Sequence, residues 1–148
     1  MTETTDNLSL FPEVDERATI KRVVSFFKVT LPKMTRYSGH SIVDLKSPII
    51  SDMPGAKKVE NEADKRIVRR LMAENVVKQT IRALDHCDTI SQQIISALYL
   101  NHDNRYDYEV ISALGLSERS YYYRKNKALL MFADSYLLDD LHTFKDEK

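Results

Sequence analysis

Gly115-Leu116-Ser117 lies between an apolar segment and a cation-rich one, and this tripeptide constrains the fold more than any other feature of the chain. Glycine accepts a positive φ without the Cβ clash other residues meet, so a short helix marked by Val110, Ile111 and Leu114 is predicted to end at Gly115. Leu116 then turns inward and plugs the angle between two helices. Ser117 offers its hydroxyl to the free amides of a new helix. Short helix, three-residue connection and cation-rich helix together have the sequence shape of a helix-turn-helix, placed at about 106–132.

The rest of the chain reads as helical too. Asp15 caps a helix in which Ile20, Val23, Val24, Phe27 and Leu31 recur at three- and four-residue steps, and Pro32 is expected to end it. From there to about Glu60, Pro48, Pro54, Gly39 and Gly55 interrupt any periodicity, which predicts an irregular arm with a short extended piece at "SPIIS". A long helix is predicted from Asn61 to His86, with Ile67, Val68, Leu71, Met72, Val76, Val77, Ile81 and Leu84 on one stripe. "TISQ" at 89–92 has capping-box form, with Thr89 as cap, before Ile94, Ile95, Leu98 and Leu100. "NHDNR" at 101–105 reads as a polar loop. The fold class is therefore all-α. It comprises a disordered tail at 1–9, an N-terminal helix with a basic irregular arm over 10–60, a helical DNA-binding domain over 61–140 that folds without the arm, and a tail at 141–148.

Chemistry of other kinds finds little support. The single Cys87 can form neither an internal disulfide nor a thiolate metal site, and points to a reducing cytoplasm. His40, His86, His102 and His142 show no zinc-ligand spacing, and three glycines leave no phosphate-cradling loop. Asp52 in "SPIISDMP" reads as a turn residue. No nucleophile, base and orienting group can be nominated, so no enzyme, cofactor or metal is expected. "MTETTDNLSL" lacks the form of a signal peptide, and the densest apolar run, "ALLMFA", is too short to span a membrane.

A formal net charge of zero first argues against nucleic acid, but the charge is unevenly distributed. Residues 1–16 carry five acids and no Lys or Arg, whereas residues 17–58 carry nine cations against Asp44 and Asp52. Residues 117–132 hold Arg119, Arg124, Lys125 and Lys127 against Glu118. Phosphates respond to such local patches, because screening confines charge to about 8 Å at physiological salt. Solvated helix faces would account for any one block equally well. At 100° per residue, Tyr121, Phe132 and Tyr136 fall within about 30° of the Ala128/Leu129 apolar face and are expected in the core. Arg119, Ser120, Tyr123, Asn126 and Lys127 lie more than about 100° away, with Tyr122 and Arg124 on the flanks. With Ser117 at the helix start, these residues form the candidate DNA-binding set, and Arg119 is the candidate for a guanine edge.

"LFPEVDERATIKRV", "SPIISDMP" and "LYL…LGLSERSYYYRKNKALLMFADSY" together resemble the ArpU family of phage-encoded transcriptional regulators from Gram-positive hosts. The resemblance runs from about Leu10 to Tyr136, and "LSERSYYYRKNKALL" is its most specific part. It implies a helix-turn-helix like that of sigma-factor region 4, control of late or lytic-type genes, and double-stranded DNA as partner. Tyr123 and Arg124 depart from the family pattern, which implies a shifted base preference or a slight rotation of the helix. Two alternatives stand beside this reading: a sigma-like accessory protein acting mainly through RNA polymerase or another phage protein, and a small terminase-type packaging subunit. Homo-oligomerisation stays open.

Overall fold

The computed structural model describes residues 12–39, 62–101 and 104–145, and the chain there is built from helices. They are α1 (Glu16–Ser25), a π-helical turn (Phe26–Thr30), α2 (Leu31–Ser38), α3 (Glu62–Asp85), α4 (Thr89–Tyr99), α5 (Asp107–Leu114) and α6 (Glu118–Ser135). The only extended pairing among these residues is an isolated antiparallel bridge between Val14 and Phe144. The all-α class expected from the sequence is the one found.

Asp15 caps α1, its carboxylate accepting from the Ala18 amide at 3.1 Å. Pro32 does not end that helix. The π turn intervenes, with the Leu31 amide donating to the Phe26 carbonyl five residues back, and Pro32 falls in the first turn of α2. A proline in a helix interior lacks a donor and clashes with the carbonyl four residues back; the wider π turn is where the backbone absorbs both defects. The helix therefore continues to Gly39, whose φ of 82° terminates it. Residues 32–38 of the expected irregular arm are thus helical. The remainder of that arm, including "SPIIS", and the expected tail at 1–9 lie outside the described residues.

The core joins the two ends of the chain. Val23, Phe26, Phe27 and Leu31 are buried with Ile94, Ile95 and Leu98 of α4 and with Tyr121, Leu129 and Phe132 of α6. Phe27 stacks on Tyr99 with ring centroids 5.1 Å apart and meets Phe132 at 4.6 Å. Phe26 meets Tyr136 at 5.1 Å. Burial of each such ring contributes about 1.5–3 kcal/mol. The N-terminal helix is therefore a wall of the core that holds α6, and residues 61–140 do not enclose that core alone.

Two details differ from the expected pattern. On α3 the buried residues are Ala73, Val77, Thr80, Ala83 and Leu84, while Ile67 and Met72 are 52% and 64% exposed. Among the described residues α2 is the main neighbour of α3, and the buried positions of α3 begin at Ala73, so the covered stripe is shorter than the apolar pattern. At the start of α4 the cap is Asp88 and not Thr89: its carboxylate accepts from the Ser91 amide at 2.7 Å, and the Gln92 side chain donates to the Cys87 carbonyl. Aspartate in extended conformation satisfies the free amides one residue earlier, leaving Thr89 inside the helix.

The C-terminal residues 141–145, expected as a tail, pack onto the start of α1. Leu141 is buried. The Asp15 amide donates to the Thr143 carbonyl at 2.7 Å, and the Thr143 amide donates to Thr19 Oγ1 at 3.0 Å. His142 bridges Asp134 at 2.7 Å and Asp140 at 2.6 Å.

Candidate nucleic-acid interface

The turn between α5 and α6 has the anticipated geometry. Gly115 takes φ 65° and ψ 30°, and its amide donates to the Ser112 carbonyl while the Leu116 amide donates to Ile111, each at 3.3 Å. These are the paired bonds of a Schellman closure, which satisfies carbonyls the helix end would otherwise leave free. Leu116 is half-buried against the core. Ser117 is extended, and its hydroxyl accepts from the Ser120 amide at 3.2 Å to open α6.

A polar clamp ties the start of α5 to α6. Tyr121 Oη donates to Asp107 Oδ1 at 2.6 Å, and Lys125 Nζ donates to the same oxygen at 2.9 Å. Burial opposes ionisation of Asp107, but the bonds from Tyr121 and Lys125 outweigh it and hold the carboxyl below its ordinary range. Burial, reinforced by Asp107, pushes the Tyr121 phenol far up, so it remains a donor. Tyr121 anchors the inner face of α6 together with Ala128, Leu129, Phe132 and Ala133, all buried.

With that face fixed, the opposite one is presented to solvent. Ser117, Arg119, Tyr122, Tyr123, Arg124, Asn126 and Lys127 are all exposed, and Ser120 is half-buried beside the cap. Arg119, Tyr123, Asn126 and Lys127 follow steps of three and four along one side. Tyr123 is 67% exposed, with Lys127 Nζ 5.9 Å from its ring centroid. Tyr122 sits edge-on to Tyr121 and has Lys125 Nζ 5.9 Å from its ring. Arg119, Arg124 and Lys127 form no salt bridge among the described residues. Arg124 and Lys127 do reach the Asp88 carboxylate electrostatically, helping to depress it after the dominant bond from the Ser91 amide.

Sequence reasoning counted Lys125 in the charge of residues 117–132 but left it out of the DNA-binding set; the structure has it bonded to Asp107. It also missed Tyr106 and Tyr108, exposed and stacked on each other at 5.8 Å at the start of α5. Two tyrosines two residues apart carry no helical periodicity, and nothing local marks Asp107 as the partner of residues 14 and 18 positions later. Among the described residues no group of histidines, cysteines and acids could hold a metal ion. No helix there is long and apolar enough to cross a membrane.

No family model matches the chain, and no solved structure matches it. A curated protein of Enterococcus hirae, named "Putative autolysin regulatory protein ArpU", is 33% identical over 132 residues, which cover 87% of this chain and 93% of that protein.

Proposed function

The chain belongs to the ArpU family of regulatory proteins, and from that premise we propose that it is a DNA-binding transcriptional regulator, without catalytic activity, that reads a duplex with α6. One observation carries the reading: the outer face of α6 gathers Arg119, Tyr123, Arg124, Asn126 and Lys127, while the inner face is locked by burial and by the Asp107 clamp. The donors suit base edges and phosphates. Arginine pairs bidentately with guanine and asparagine with adenine, whereas Arg124 and Lys127 supply backbone contacts. The half-turn at Gly115-Leu116-Ser117 makes α5 and α6 a helix-turn-helix in this reading, of the kind found in sigma region 4. The genes it controls are proposed to be late or lytic-type genes of a phage or prophage, in keeping with the word "autolysin" in the relative's name.

A second reading has α6 dock mainly on RNA polymerase. Leu137 and Leu138, both exposed just beyond α6, favour it, because apolar side chains there suit a protein surface better than phosphate. Fluorescence anisotropy of the purified full chain on duplexes, with polymerase absent, separates the two. The DNA reading expects binding whose logarithmic salt slope is about −0.9 per phosphate contact. Absence of duplex binding at low salt would move the function to the polymerase.

A further inference from the structure

A cleft of about 490 Å³ opens where the π turn, the end of α4 and the start of α5 meet. Its floor is apolar, formed by Phe27, Leu98 and Tyr99, each a buried member of the core. Lys28 and Arg105 stand exposed at its edge. Neither forms a salt bridge among the described residues. Among the described residues the acid on the wall is Asp107, already bonded to Tyr121 and Lys125. The cleft thus combines an apolar base with two exposed cations that form no salt bridge among the described residues.

We infer that this cleft is a binding site for a small aromatic carboxylate. Its volume lies within the roughly 300–1,000 Å³ typical of small-molecule sites, which pair apolar walls with a few placed polar groups. A flat ring would close over the apolar floor, where Leu98 and Tyr99 keep 7% and 6% of their surface, and pack against Tyr106, which lines the cleft and is 68% exposed. Its carboxylate would pair with the Arg105 guanidinium, whose planar fork matches it, and with the Lys28 ammonium. The backbone detail agrees. Single π turns within helices frequently occur at functional sites, and this one supplies both Phe27 and Lys28 to the cleft. Because Lys125 belongs to the cleft wall and to α6, a bound anion would also reach the helix proposed to read DNA; that consequence rests on the DNA reading, whereas the binding does not.

Naphthalene-1-carboxylate is a suitable probe for isothermal titration of the full chain, without DNA, beside its neutral alcohol analogue and inorganic phosphate. The expected result is saturable binding of one carboxylate per chain, weakened about tenfold or more in the Lys28→Glu/Arg105→Glu variant and for the neutral analogue, as loss of charge-assisted bonds predicts. Amide shift mapping on the unaltered protein guards against a variant that fails to fold, and the shifts should centre on Phe27, Lys28, Leu98 and Tyr106. Lack of saturable binding, equal affinity for the neutral analogue, equal affinity for phosphate alone, or shifts centred elsewhere would each overturn the assignment.

Discussion

Replacing Asp107 with alanine should remove the clamp that ties α5 to α6, and its cost can be worked from the two bonds lost. The Tyr121 hydroxyl, on a fully buried side chain, loses its acceptor at 2.6 Å. A hydrogen bond to a charged group is worth about 1.5–3 kcal/mol net. The Lys125 pair has side chains 19% and 32% exposed, so solvent screening holds its contribution near the surface value of about 0.5–1 kcal/mol. Asp107→Ala should therefore destabilise by about 2–4 kcal/mol in urea unfolding at neutral pH. In a cycle with Tyr121→Phe the two changes should couple by about 1–2 kcal/mol. The pH dependence has a definite sign. Because the folded carboxyl titrates below its ordinary value of 3.8, its contribution is present above that value and is lost as pH falls through the folded one. The gap between variant and parent should accordingly close in acid. A cost under about 0.5 kcal/mol, or additive effects with Tyr121→Phe, would refute the clamp.

Leu129→Ala removes a side chain only 1% exposed and should cost about 2–5 kcal/mol in the same unfolding assay; an unchanged midpoint would mean the outer face of α6 is wrongly assigned. The fragment 61–148 should not give a cooperative melt by circular dichroism, since it lacks Val23, Phe26, Phe27 and Leu31 of the core, and a sharp transition would show that α1 is dispensable. For His142, burial opposes protonation, but its bonds to Asp134 and Asp140 raise its titration above the ordinary 6.5. Its stabilising contribution is then full below 6.5 and lost as pH rises through the folded value. The melting difference between the parent and His142→Gln should shrink from mildly acidic to alkaline pH, and a difference constant with pH would remove the histidine from that role.

Local signals carried much of α5, α6 and their turn into view. A glycine with no Cβ, an apolar plug and a serine cap act within a few residues, and the 3.6-residue period alone separates Tyr121 from Tyr123. The signals failed where distant chain decided the outcome. Pro32 reads as a stop unless the helix can widen into a π turn, and that turn is held by Phe26 and Phe27 packing against Phe132 and Tyr99. Lys125 falls on the inner side of the helical wheel, but nothing local names the acid it meets there, because Asp107 arrives from another helix. Ile67 and Met72 fit the apolar stripe of α3 but are exposed, because a period shows which side of a helix is apolar and not how far along it a neighbour covers that side. The C-terminal residues 141–145 have no helical period, and their bonds to Asp15 and Thr19 cross almost the whole chain.

The proposal that the exposed face of α6 reads DNA is tested most directly by selecting bound duplexes from a random pool with the full chain at fixed salt, then measuring Arg119→Ala on the selected site and on random duplex. Arg119 lies at the start of α6, exposed, where a base contact requires it. The variant should lose about 1–3 kcal/mol on the selected site and relax its preference at one base pair, with little change on random duplex. Equal losses on both duplexes would reduce Arg119 to a phosphate contact, and a pool from which no sequence is enriched would contradict sequence reading by this helix altogether.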